Sequence, residues 1–131
     1  MLELAKVTED DIVVDLGSGD GRIIVMAAEE FGARSIGIEV DPLRVRWSRW
    51  VIRRHGLEQK VNVIQKNFFD QSLEIATVVC LFQRQNTNNQ LKAKLAGELR
   101  TGTRVVSHMY TFEGWIPAIS TKNPNLYLYI M

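Results

Sequence analysis

The chain has 131 residues, a formal net charge of +1, 46% hydrophobic residues and 24% charged residues. That length gives one domain with room for a real core, and leaves little for a second domain that would cap a small-molecule pocket. The near-neutral balance sets up no global field for nucleic acid or an anionic membrane, and no apolar run approaches the roughly 18 residues that span a bilayer. The opening Met1-Leu2-Glu3-Leu4-Ala5-Lys6 is short and mixed, unlike a signal or transit peptide. The single Cys80 lies in the apolar run 76–82 and reads as a reduced core residue of a cytoplasmic protein rather than a nucleophile. No His, Cys, Asp and Glu positions have metal-ligand spacing, so no metal is expected.

In chain order, residues 1–7 read as the end of a helix, with Leu2 and Ala5 facing inward. After a polar turn at 8–11, Ile12-Val13-Val14 is a first strand. It runs into Asp15-Leu16-Gly17-Ser18-Gly19-Asp20-Gly21, and the helix-period set Ile23, Ile24, Ala27, Ala28 and Phe31 leads out to Gly32. Strand, glycine-rich turn and helix make the start of a nucleotide-binding α/β unit. The glycines let the backbone approach a ligand, and free N–H groups at the helix start point at it. Residues 35–40 form a second strand, apolar on both faces. Asp41 and Pro42 open a second helix as N-cap and first residue, and Gly56 ends it. Leu43, Trp47, Trp50, Val51 and Arg54 follow helical spacing and are expected to form its inner stripe. Arg44, Arg46, Arg49 and Arg53 lie mainly on other faces. They make either a solvated basic face or a docking surface for an acidic or membrane-bound partner.

Residues 60–65 alternate, which suits a strand near the sheet edge. A loop at Asn67-Phe68-Phe69-Asp70 follows. Residues 76–82, the most continuously apolar run, are expected at the centre of the sheet. Asn86-Thr87-Asn88 offers N-caps for a third helix with Leu91, Leu95 and Leu99 on one face. Gly102 marks the next turn, and residues 103–107 form a fifth strand. Residues 126–131 have strand chemistry, and with no helix before them they return antiparallel. The chain 1–131 is thus expected to be one α/β domain, a Rossmann-like, doubly wound, mainly parallel sheet with a C-terminal antiparallel strand. Its ligand is expected at the carboxyl ends of the strands, where strand order reverses.

The glycine turn lacks the third glycine of the dinucleotide fingerprint, since Arg22 holds that position, and no Gly-Lys-Ser/Thr follows as in a phosphate loop. Glu39 falls 22 positions after Gly17, at the carboxyl end of the second strand. A carboxylate there accepts hydrogen bonds from both ribose hydroxyls of a nucleoside, or is an ordinary surface glutamate. Asn67 and Phe68, just past the third strand, can pair with the edge of adenine and cover its face, or serve as a turn asparagine and a core phenylalanine. Asp15 can order the turn or receive a positive amino group. Together Asp15, Gly17, Ser18, Gly19, Asp20, Gly21, Glu39, Asn67 and Phe68 suit adenosine with a zwitterionic amino-acid tail. A pyrophosphate would be repelled by Asp15 and Asp20.

These residues resemble the class I S-adenosylmethionine-dependent methyltransferases. The resemblance extends through the stretch from Asp15 to Ile23, Asn67-Phe68-Phe69, Lys94-Leu95 with Glu98-Leu99, the stretch from Gly102 to His108, and Gly114-Trp115-Ile116-Pro117. In order and at similar spacing, these resemble the small protein-lysine methyltransferases: the broad-specificity archaeal enzymes and those acting on the c subunit of ATP synthase. The resemblance implies S-adenosyl-L-methionine as cofactor and a protein substrate with an accessible lysine as partner. Apart from it, a monomer without metal or membrane span is expected. The resemblance also implies an upstream segment with a Pro-Thr-Pro element and a helix closing over the cofactor, after which this sequence starts. Phe82-Gln83-Arg84-Gln85-Asn86 departs from the more apolar residues usual after the fourth strand.

Phe82, Tyr110 and Trp115 are candidates for an aromatic acceptor mouth, each otherwise a core residue. His108, just past the fifth strand, is a candidate proton acceptor or a hydrogen-bonded structural histidine. The expected catalytic set is Phe82, His108 and Trp115. No capping domain is inserted, which favours a large acceptor. The charge balance, and the absence of an Asn/Asp-Pro-Pro-Tyr element after the fourth strand, disfavour nucleic acid. The alternatives are methylation of RNA or a small amine on the same fold, or a non-catalytic remnant that binds a cofactor or partner.

Overall fold

The computed structural model describes residues 1–131. Its seven strands form one sheet in the order β3-β2-β1-β4-β5-β7-β6. β1 (Ile12–Leu16) feeds the glycine turn and α1 (Arg22–Phe31). β2 (Arg34–Glu39), α2 (Pro42–Arg54) and β3 (Val61–Gln65) complete one half of the sheet. β4 (Val78–Leu81), α3 (Gln85–Glu98) and β5 (Arg104–His108) build the other. The two-residue β6 (Ile119–Ser120) and β7 (Leu126–Ile130) close it, with β7 antiparallel to β5 and β6. As expected, the alternating strand is at the edge and the most apolar strand is near the centre. β1 pairs parallel with both β2 and β4, so Asp15 stands opposite Gly37 on one side and Cys80 on the other. Strand order reverses between β1 and β4, which opens a crevice at their carboxyl ends.

Side chains alternate across the sheet. Val14, Leu16, Ile38, Val79 and Leu81 pack under Leu91 and Leu95 of α3. Val13, Cys80 and Val106, on the other face, meet Leu2, Ala5 and Ala27. Ile24, Val25 and Ala28 of α1 share a cluster with Val45 and Ile52 of α2. Burial, followed by the nearby Asp15 charge, pushes the Cys80 thiol far above its ordinary range, which leaves it inert as a nucleophile. At the opposite end of the sheet from the crevice, Asp11 bonds Arg104 and Thr77. Burial alone would raise its pKa, but hydrogen bonds from Thr8, Thr77 and Arg104 outweigh it and hold the carboxyl below its ordinary range.

Several local expectations fail for packing reasons. α2 buries Val45, Ser48 and Ile52, while Leu43, Trp47 and Trp50 are 71%, 55% and 48% exposed. The helix presents Ser48 because the glycine turn lies against it. The Ser48 hydroxyl donates to the Gly19 carbonyl at 3.1 Å, and a Cβ on Gly21 would stand 3.0 Å from that hydroxyl. An indole has no room there. Asn86, Thr87 and Asn88 do not cap α3, which starts at Gln85 with Arg84 in the cap position, and Asn88 is fully buried. Residues 1–7 form a single turn instead of a helix end: Ala5 N–H bonds the Met1 carbonyl, and Lys6 at φ 55 turns the chain away. Leu2 and Ala5 are buried as expected. The loop after β3 contains a one-turn 3-10 helix, Phe68–Asp70, capped by Asn67.

Candidate functional site

The glycine turn is held by β2 and by its own residues. Gly17 and Ser18 both donate their N–H to the Ile38 carbonyl, at 2.8 and 3.1 Å, and Gly21 donates to Ser18 at 2.9 Å. Gly19 donates to Glu39 Oε1 at 2.8 Å, while Glu39 Oε2 accepts the Asp41 N–H at 3.0 Å. Asp20 Oδ1 accepts the N–H of Arg22, the first residue of α1. The expectation of free N–H groups aimed at a ligand is therefore corrected at Gly17, Ser18, Gly19, Gly21 and Arg22. With a carboxylate capping the helix start, the turn offers no ready cradle for a pyrophosphate. The Ser18 hydroxyl is buried without a partner, packed where a Cβ on Gly37 would come within 2.5 Å.

A cleft of about 700 Å³ opens at the carboxyl ends of β1 and β4. Asp15, Gly17, Ser18, Gly19 and Asp20 line it from the turn, and Leu43, Arg44 and Trp47 from α2. Phe82 and His108 line it from the ends of β4 and β5, with ring centroids 4.3 Å apart. Asp15 is buried, and burial followed by the Glu39 and Asp20 charges raises its pKa to about 8. No hydrogen bond holds its ionised form down, which leaves this carboxyl matched to a cationic ligand group. Gln83 crosses from β4 to β1, donating to the Leu16 carbonyl at 3.1 Å. Its amide nitrogen passes 2.5 Å from where a Cβ on Gly17 would be, and the backbone there, at φ +80, favours glycine. A partnerless buried acid and an acid-capped helix start fit an adenosine carrying an ammonium-bearing tail.

The other candidate residues lie apart from that cleft. Glu39 is behind the turn, buried, with both oxygens on backbone N–H groups. Asn67, exposed past the end of β3, uses its carbonyl oxygen to accept the Phe69 N–H at 3.0 Å. Phe68 packs against the core. Trp115 stacks on Phe112 at 4.8 Å and meets Tyr129 edge-on at 5.9 Å, away from Phe82 and His108. Sequence reasoning missed Leu43, Arg44 and Trp47 as cleft residues because it turned the apolar ones inward. It also missed the role of the amide-rich stretch that starts at Gln83. Gln85 Nε2 donates to Thr111 O at 2.7 Å, and Asn88 Nδ2 to Tyr110 O and Thr111 O at 3.3 and 3.1 Å. Asn89 Oδ1 accepts the Glu113 N–H at 3.2 Å, and Lys92 donates to the Glu113 carbonyl. These side chains of α3 clamp the segment that follows β5.

The family model described as the ANTKMT methyltransferase domain matches residues 15–119, from the turn aspartate to the start of β6. The chain belongs to this methyltransferase family. A protein-lysine N-methyltransferase of Saccharolobus islandicus (strain REY15A) is 43% identical over 138 residues, covering 100% of this chain and 86% of the relative. The lysine N-methyltransferase of the ATP synthase c subunit from Xenopus laevis is 35% identical over 106 residues, 81% of this chain. This chain spans a little under half of that relative, 46%. Among solved structures, an RNA methyltransferase from Salinibacter ruber in complex with S-adenosyl-L-homocysteine superposes with a TM-score of 0.96. That match has 38% identity and covers 98% of this chain and 86% of the other.

Proposed function

We propose that the chain moves the methyl group of S-adenosylmethionine to the side-chain amine of lysine in a protein acceptor. The observation that carries this reading is kinship along the whole chain to a protein-lysine N-methyltransferase at 43% identity. The residues at the carboxyl ends of β1, β2 and β3 support it. Asp15 would receive the ammonium group of the cofactor's amino-acid tail. Glu39 spends one lone pair per oxygen on Gly19 and Asp41, and a carboxylate with about four acceptor sites keeps the rest for ribose hydroxyls. Asn67 uses only its carbonyl oxygen in the 3-10 turn, so its NH₂ remains for the adenine edge, with Phe68 beside it.

When bound, S-adenosylmethionine supplies a methyl group activated by its sulfonium, so the protein need not protonate a leaving group. The work of the chain is to align a neutral amine and take up its proton. Lysine is almost fully protonated at neutral pH, and an apolar mouth favours its neutral form by desolvating the charge. Phe82, exposed at the end of β4 against the His108 ring, offers that surface. His108 would accept the proton at a ring nitrogen, directly or through water.

A second reading, methylation of RNA, is favoured by the close superposition on an RNA methyltransferase. Competition separates the two. The protein is given methyl-labelled S-adenosylmethionine with a lysine-rich protein and RNA in one reaction. Label in the protein, insensitive to ribonuclease, is the expected result. Label that ribonuclease releases would move the assignment to RNA.

A further inference from the structure

The side of α2 turned from the sheet joins an exposed apolar ridge to a dense run of positive charge. Leu43, Trp47 and Trp50 project from it at spacings of four and three residues, and the two indoles stack at 5.2 Å. The Arg54 guanidinium lies 5.9 Å from the Trp50 ring. α2 carries five arginines and no acid. With a chain total of +1, removing those five leaves −4 for everything else, so the positive charge is concentrated on this helix. Arg49 is committed to the Val63 carbonyl at 3.1 Å, and Arg44 leans toward Asp41 at 3.8 Å. Arg46, Arg53 and Arg54 form no ion pair. The acids Glu29 and Asp20 on the adjoining side are paired with His55 and Arg22.

We propose that this face of α2 docks on an anionic lipid surface. A helix with Trp and Leu on one stripe and arginines beside it settles in the interface plane, its apolar stripe at the headgroup boundary and its cations on acidic headgroups. Three features select this occupant. The two indoles stack on each other and Arg54 lies over the Trp50 ring, which leaves one free face, on Trp47, where a strand of nucleobases needs successive platforms. The protruding Leu43 side chain gains from an acyl boundary and nothing from a phosphate backbone. A second copy would set five arginines against five, which like-charge repulsion disfavours. Leu43, Arg44 and Trp47 also line the cleft, so docking holds the cleft beside the surface. The proposal is independent of lysine as acceptor, because binding is measured without cofactor or substrate.

The test is flotation of the full chain with phosphatidylserine–phosphatidylcholine vesicles, against vesicles of phosphatidylcholine alone. Binding to the anionic vesicles only is expected, weakening with salt and accompanied by a blue shift of tryptophan emission. The double variant Arg46→Glu/Arg53→Glu is expected to bind at least about tenfold more weakly. Trp50→Ser, which keeps the charge, is expected to lose affinity and part of the blue shift. All three side chains are exposed, and an unchanged melting temperature certifies the fold of each variant. Equal binding to neutral vesicles, no binding, or a charge-reversed variant that binds like the parent would overturn the proposal. So would tighter binding of a polyglutamate peptide or an RNA oligonucleotide than of the anionic vesicles through this face, or a dimer that buries the indoles in their absence.

Discussion

The Glu39 carboxylate accepts the Gly19 N–H at 2.8 Å, and its second oxygen ties the same residue to the N-cap of α2 through Asp41. One side chain thus fixes the glycine turn relative to the end of β2 and the start of α2, and is also the residue proposed to hold ribose. Glu39→Ala is expected to lower stability by about 1–3 kcal/mol, because two backbone donors lose their acceptor. It is expected to weaken S-adenosylhomocysteine binding further than that instability explains. Glu39→Gln, which keeps one acceptor oxygen, should fall between. Calorimetric titration beside thermal melts separates the two effects, and unchanged affinity in Glu39→Ala would remove the residue from the site.

Asp15 makes the ligand-free protein sensitive to pH. Its folded pKa is raised to about 8 from an ordinary 3.8, so the folded state holds a proton that the unfolded state gives up between those values. The stability linked to that proton is fully present below pH about 4 and is lost as pH rises through about 8. A cationic ligand group favours the ionised carboxyl, so affinity for S-adenosylhomocysteine should rise over the upper part of the same window. Melting temperature and dissociation constant against pH check both signs. Asp15→Asn is expected to flatten both curves.

Two glycine substitutions should have opposite signs. An alanine Cβ at Gly37 would come within 2.5 and 2.6 Å of Ser18 Oγ and Cβ and 2.9 Å of Ile24 Cδ1, so the glycine turn must shift. Gly37→Ala is expected to cost about 1–3 kcal/mol and to weaken cofactor binding. Gly97, near the end of α3, meets nothing within 4 Å. Gly97→Ala is expected to stabilise by about 0.5–1 kcal/mol through helix propensity, with binding unchanged. Denaturant melts of the pair read both.

Trp115 and Asn88 serve the segment after β5. Trp115→Ala removes the ring stacked on Phe112 and set edge-on to Tyr129, and is expected to cost about 3 kcal/mol with cofactor affinity nearly intact. Asn88→Ala leaves the Tyr110 and Thr111 carbonyls without that donor, and is expected to cost about 1–3 kcal/mol. Hydrogen exchange should then speed up across residues 109–115. A loss of methyl transfer in Trp115→Ala at full stability would return that ring to the acceptor mouth.

The glycine turn, the mainly parallel sheet and its edge and central strands are legible in the sequence because each follows from local pattern: glycine spacing, alternation, and apolar run length. The orientation of α2 is not. Two tryptophans and a leucine carry the strongest inward signal, whereas Ser48, packed on the Gly19 carbonyl, carries none. The cap of α3 is misleading because Asn88 looks like a local N-cap, while its partners Tyr110 and Thr111 lie more than twenty residues on. Gln83 over Gly17 is hidden in the same way: a contact between the ends of β4 and β1 leaves no periodic trace. Phe82 and His108 can be placed together because each sits at the carboxyl end of an adjacent parallel strand.

The most direct test is to incubate the protein with S-adenosylmethionine and a lysine-rich protein, then locate the added methyl group by fragmentation mass spectrometry. The predicted result is methyl on lysine side-chain nitrogen, lost in Glu39→Ala. An unmodified protein acceptor, with methyl appearing on RNA supplied in its place, would contradict the assignment.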